Sequence, residues 1–240
     1  MRSEFLLLLG TGISLGFVHT LLGPDHYLPF VAMARIGRWS ASKTGLITLV
    51  CGIGHVLSSV LLGFAGIALG LAVTKLTAFE SARGEIAAWM LIAFGFMYTV
   101  WGVHRAIRGK PHEHAHLHED GPHSHEHDHE DAHLHVHQES SIENRVSSLT
   151  PWILFTIFVF GPCEVLIPLV MYTAAKHPFS WVMFVSGVFG IATVSTMLAV
   201  VLVSTLGLAK LHMGRLERYS AAVGGLVIFL CGGAIKFLGL

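Results

Sequence analysis

Apolar residues run along this chain in long, charge-free stretches separated by shorter polar ones. The stretches are Phe5 to Pro24, Thr44 to Thr74, Ile86 to Val103, Val146 to Cys163, Pro178 to Ala209 and Tyr219 to Ile235. Most approach the roughly 20 residues that an α-helix needs to cross a bilayer. The first and fourth continue past a polar interruption, to about Ala34 and Ala175, so each is long enough to cross while bent. The pattern predicts an all-α, polytopic membrane protein with six transmembrane helices.

Composition agrees, with 53% hydrophobic and only 12% charged residues and a mean hydropathy of +0.65. The leucine run after Arg2 has the outline of a signal peptide. No small-residue cleavage site follows and the apolar stretch continues, so this span is expected to be retained. The three cysteines, Cys51, Cys163 and Cys231, are odd in number and lie in apolar segments, against a disulfide framework. A formal net charge of zero gives no reason to expect a nucleic-acid partner; the bilayer itself is the expected environment.

Lysines and arginines at the span ends set the orientation. With the N-terminus outside, the inner side holds ten: Arg35, Arg38, Lys43, Arg105, Arg108, Lys110, Arg145, Lys210, Arg215 and Arg218. The outer side holds five, Arg2, Lys75, Arg83, Lys176 and Lys236. Both termini are therefore expected outside, and the central polar loop in the cytoplasm of a cell bounded by this inner membrane.

Two stretches repeat one another, "GPDHYLPFV" from Gly23 and "GPCEVLIPLV" from Gly161. Asp25 aligns with Cys163 and His26 with Glu164. The third and sixth spans echo this, since Gly95 and Gly102 have the spacing of Gly225 and Gly232. Three crossings reverse the side on which a second unit starts, so the expected plan is two inverted three-helix repeats. Residues 1–107 form the first, 108–149 a histidine-rich loop and 150–240 the second. Proline lacks an N–H and clashes with the preceding turn, so each Gly-Pro is expected to break its helix near the midplane, which membranes tolerate where the break lines a cavity or is buried.

Acidic residues narrow the search. Of 15 Asp and Glu, nine lie in the central loop, while Glu4, Glu80, Glu85 and Glu217 sit at span ends. Asp25 and Glu164 are then the expected deep carboxylates, each costing about 2.5–3.5 kcal/mol on insertion scales. A binding site would offset that cost. His19, Asp25, His26 and, in the second span, His55 offer imidazole and carboxylate ligands, with Glu164 and Cys163 added from the second repeat. Imidazole suits nickel, cobalt, zinc, copper or iron better than magnesium or calcium, so the expected partner is a transition-metal dication.

The loop points the same way. It carries His112, His114, His116, His118, His123, His125, His127, His129, His133, His135 and His137, mostly alternating and interleaved with carboxylates. Such a segment cannot build a core and suits weak, multi-site metal binding; it is expected to lack regular structure without metal. Cytoplasmic metallochaperones are the protein partners it would meet. "GRWSASKT" from Gly37 nearly matches a phosphate-binding loop, but Ser42 stands at the second glycine and no strand precedes it. No other motif points to an enzyme or to a resident cofactor.

At these residues the chain resembles the nickel and cobalt permeases, particularly those of the NicO and urease-accessory type. The likeness rests on "HTLLGPDH" in an early span, "GIGH" in the next and the histidine-rich loop. The gap between His19 and Asp25 is one residue longer than in the best-known members. The resemblance implies that His19, Asp25, His26 and His55 belong to a metal path, and that the chain moves nickel or cobalt. "GPCE" also resembles membrane electron carriers of the cytochrome c biogenesis type, which use a cysteine in each repeat; here Cys163 faces Asp25 instead. A membrane metal sensor without transport is a third possibility. Permeation of nickel or cobalt through a midplane site is the expected function.

Overall fold

The structure is a computed structural model that describes residues 2–108, 112–118, 121–127, 140–209 and 218–239, and side chains only outside 108–149. The described residues are overwhelmingly helical. In chain order the helices are α1 (Arg2–Leu22), α2 (Leu28–Ile36), α3 (Ala41–Ala68), α4 (Val73–Arg108), α5 (Ser140–Phe160), α6 (Leu166–Lys176), α7 (Phe179–Ala209) and α8 (Ser220–Leu238). Five of them, α1, α3, α4, α7 and α8, are long and apolar enough to cross a membrane; α5 and α6 add the shorter apolar segments Thr150–Phe160 and Leu166–Lys176. The chain is thus a multi-pass helical membrane protein by length and composition. Side chains such as Leu7, Leu61, Phe96, Phe184, Ile191 and Val203 point outward, which suits hydrocarbon and not water.

Local sequence sets the ends. α1 stops at Gly23-Pro24, where a single 3-10 turn (Pro24–His26) intervenes before α2. The Ser40 hydroxyl caps α3 by accepting from the Lys43 N–H at 3.2 Å. α6 ends at His177, held extended (φ −135°, ψ 162°) by Pro178. α5 ends where Gly161-Pro162 begins a second irregular stretch, as the repeat predicts.

Packing is closest between α4 and α8. A Cβ at Gly95 would lie 2.3 Å from the backbone N of Phe229, and one at Gly225 would lie 2.4 Å from that of Thr99. Gly102 lies as tightly on Ala222 (2.3 Å) and Gly232 on Ile92 (2.9 Å). The numbering of these pairs makes the helices antiparallel, with small residues admitting backbone contact; Lys236 and Glu85 add an ion pair between them. α7 packs on α1 and α3: Gly16 lies on the Phe189 carbonyl (2.9 Å), Gly52 on Val194 (3.3 Å) and Gly190 on Val56 (3.0 Å). One apolar core gathers Phe30, Met33, Leu154, Phe158 and Ile228; another gathers Leu8, Leu166, Val170, Val182 and Phe189.

Three expectations change. The third expected span, α4, begins at Val73, well before Ile86, because Glu80 and Arg83 neutralise each other inside it. Arg83 is therefore a buried residue and not an outer-side positive charge. In the polar loop, expected to lack regular structure, β1 (His112–His118) and β2 (Gly121–His127) pair antiparallel, His116 opposite His123; alternation of histidine with other residues has the two-residue period of a strand. His129, His133, His135 and His137 lie outside the described residues, as do Lys110, Lys210 and Arg215.

Candidate metal centre

The first break delivers three of the sequence-selected residues. His19 stands in the last turn of α1, and Asp25 and His26 in the 3-10 turn. Helical backbone would carry them past one another; the Gly23-Pro24 break folds His26 back instead. Its Nδ1 lies 3.0 Å from Asp25 Oδ1 and 3.2 Å from the Gly23 carbonyl. The return is tight: a Cβ at Gly23 would stand 2.5 Å from that nitrogen and would have to displace the His26 ring or the Asp25 carboxylate. His26 is buried and Asp25 partly so.

His55 arrives from the middle of α3. Its Nδ1 lies 3.3 Å from the Phe158 carbonyl, near the end of α5, and the natural donor there is Nδ1–H. A carbonyl partner on Nδ1 fixes the tautomer and leaves Nε2 with a free lone pair. Gly161 closes against the same ring, with room for a Cβ only at 3.2 Å from His55 Nδ1. The three imidazoles form one group. Ring centroids are 4.7 Å apart for His19 and His26, 5.0 Å for His26 and His55, and 6.4 Å for His19 and His55.

Their Nε2 atoms are the notable feature. In His19, His26 and His55 alike, Nε2 is buried with no hydrogen-bond partner among the described residues. Buried polar atoms are nearly always paired, so three orphans on three touching rings mark a place built for something else. The second break supplies a fourth donor. Cys163 is fully buried, and its sulfur lies with a nitrogen of His19 and one of His55 such that all three are within 4.8 Å of one another. His26 and Asp25 adjoin this trio. The carbonyl and carboxylate on the Nδ1 side of His55 and His26 are the outer partners that metal-binding imidazoles usually have. A cavity of about 20 Å³ reaches the group past Asp25, His55, Gly84, Phe158 and Pro162, enough for about one water molecule.

One residue expected in the site lies outside the cluster, and two buried charges stand near it. Glu164, expected to be the second deep carboxylate, is exposed and stands outside the trio; the neighbouring Cys163 points inward instead. At a break the helical period no longer governs direction, so alignment with His26 could not say which side chain faces in. The enclosed carboxylate is Glu80, with no exposed surface, beside Arg83 at 9%. Their spacing of three, in "FESARGE" between apolar flanks, was the available signal. Also unread was a second-span repeat: "GIGHV" from Gly52 matches "GIATV" from Gly190. It puts Thr193, buried and with an unpartnered hydroxyl, in the place of His55.

Fold and site together define a polytopic helical membrane protein with a buried cluster of imidazole and thiol donors where two helices break. Compared with protein-family models, with curated proteins and with solved structures, the chain matches none.

Proposed function

We propose that this chain is a permease that carries a transition-metal dication, nickel or cobalt, through the cluster of His19, His55 and Cys163, with Asp25 and His26 beside it. The observation that carries the proposal is that three touching imidazoles each keep a buried, unpartnered Nε2, with a nitrogen of His19, one of His55 and the Cys163 sulfur within 4.8 Å of one another. Imidazole nitrogen and thiolate sulfur select borderline and soft cations, whereas magnesium, calcium and manganese prefer oxygen. Asp25 offsets part of the cargo charge in a medium where unpaired charge is costly. Glu164, being exposed, is given no ligand role. The likeness of "HTLLGPDH" and "GIGH" to the nickel and cobalt permeases agrees with this reading.

The plan we propose is six spans in two inverted halves, with α1–α2 and α5–α6 each counted as one broken span. The glycine contacts support it. Gly95 lies on Phe229 and Gly225 on Thr99; Gly102 lies on Ala222 and Gly232 on Ile92; Gly52 lies on Val194 and Gly190 on Val56. Exchanging the two halves turns each contact into its partner, as a two-fold axis in the membrane plane requires. The breaks then meet near that axis, where transporters of this plan bind cargo. Rocking one half against the other would open the cluster to each side in turn. The excess of Lys and Arg on one side supports a topology with both termini outside and the histidine loop in the cytoplasm, where it would exchange metal with metallochaperones.

The test is flux. Reconstituted into liposomes containing a metal-sensitive dye, the chain is expected to pass nickel or cobalt faster than manganese, down either gradient. Absence of flux for nickel, cobalt and zinc, with protein demonstrably inserted, would refute the proposal.

A further inference from the structure

Glu80 and Arg83 are the enclosed charges that cargo binding leaves unused. Both lie on α4, three residues apart, with Arg83 Nη1 donating to Glu80 Oε1 at 2.6 Å. A buried ion pair is poor evidence for stability, because apolar residues of similar size often do as well. What sets this pair apart is where its remaining bonds go.

They go to the second break. The last carbonyls of a helix have no partner within it, and Gly161-Pro162 prevents α5 from continuing. Arg83 Nη2 donates to the Val159 carbonyl at 2.6 Å and reaches that of Gly161 at 3.5 Å. Glu80 Oε2 accepts the Cys163 N–H at 3.2 Å. Backbone groups on both sides of Pro162 are thus satisfied from α4. The same guanidinium also donates to Ser58 Oγ at 2.8 Å, and that hydroxyl donates to the His55 carbonyl at 2.8 Å. The Phe158 carbonyl that orients the His55 ring is one residue from the carbonyl Arg83 holds most closely. One rigid fork therefore spans the turn carrying His55 and the break carrying Cys163. The planar, five-donor guanidinium can do this; a lysine ammonium, a point charge on a flexible stem, cannot reproduce it.

We infer that the Glu80–Arg83 pair is a positioning clamp for the candidate site: it fixes the α5–α6 break so that the Cys163 sulfur stays beside the His19 and His55 nitrogens. The inference rests on the proposed cation site for its purpose, though not for its geometry. Outer partners of metal ligands typically contribute 10–100-fold in affinity, which sets the expected effect.

The experiment uses the full chain in detergent with Cys51→Ala and Cys231→Ala, leaving Cys163 as the lone thiol, and Co²⁺ as probe. Only a thiolate ligand gives cobalt its near-ultraviolet charge-transfer absorption, so the loop histidines do not contribute to that band. Adding Glu80→Leu with Arg83→Met removes both charges together and leaves neither one buried alone. This variant is expected to bind Co²⁺ about 10–100-fold more weakly with a diminished band, and to let a small maleimide label Cys163 at least tenfold faster. Arg83→Lys, which keeps the charge without the fork, should fall between the two and carries the test if the double variant fails to insert. Labelling and band both at the background level in these variants would overturn the clamp. A faster labelling rate with no cobalt band even in the background protein would leave the clamp standing and remove the cation reading.

Discussion

Replacing single glycines with alanine tests the arrangement on which alternating access would depend. Gly95→Ala puts a methyl 2.3 Å from the Phe229 backbone N and 2.7 Å from its Cα, and Gly225→Ala puts one 2.4 Å from the Thr99 N. Ordinary van der Waals contact begins at 3.4 Å, so α4 and α8 must part by about 1 Å, the overpacking that typically costs 1–3 kcal/mol. Gly187 and Gly233 are the controls: both are helical, and a Cβ there meets nothing within 4 Å. Alanine at any of the four gains the same helix propensity, about 1 kcal/mol over glycine, which cancels in the comparison. The crossing variants should therefore fall about 1–3 kcal/mol below the open ones, and Gly95→Ala should match Gly225→Ala because their surroundings correspond. A single separation of the helices relieves both clashes, so the double variant should cost clearly less than the two singles together. Equilibrium unfolding in mixed micelles, followed by helical circular dichroism, measures the five variants against the parent chain. Crossing variants as stable as Gly233→Ala, or fully additive singles, would refute the close crossing and the two-fold relation drawn from it.

Asp25→Asn keeps an oxygen facing His26 but loses the charge, and should lower dication affinity about 10–100-fold in protein that still inserts; unchanged equilibrium binding of Co²⁺ would make Asp25 structural. Cys163→Ser should reduce nickel or cobalt flux at least about tenfold, by analogy with loss of a metal ligand's partner, while Glu164→Gln stays near normal because Glu164 is exposed. The opposite ranking in the liposome assay would put the carboxylate back in the path. Deleting residues 111–137 should leave a folded transporter, since a polar low-complexity segment supplies no core, and should change apparent affinity more than maximal rate; a well-inserted deletion without transport would contradict this.

Much of the fold was legible because a membrane imposes a simple rule, that a crossing helix be long and apolar. α3 and α7 follow from hydropathy alone, and both breaks follow from Gly-Pro inside an apolar run. His19, His26 and His55 could be picked out because imidazole is conspicuous in such surroundings. Glu80 and Arg83 escaped because counting charges ends a span where they occur, whereas a folded helix sets them one turn apart and cancels them. Cys163 is buried and Glu164 exposed, the reverse of what the alignment suggests, for another reason. They are adjacent on backbone that is not helical, and a repeat alignment matches positions without fixing the direction in which each side chain points. Whether a break turns one residue or its neighbour inward depends on bonds from elsewhere, here the Cys163 N–H held by Glu80.

The cavity reaching the cluster has room for about one water, and for a chain that carries a dication as proposed this would set the order of events. A dication in solution is surrounded by a full shell of water oxygens, and a shell of that size does not pass a space for one. On the proposed function, an ion held in this arrangement would be nearly bare, its waters exchanged one after another for protein ligands. Selection then acts on how readily an ion gives up water as much as on how well it fits. Magnesium dehydrates reluctantly and would be turned back at the threshold before any ligand could refuse it.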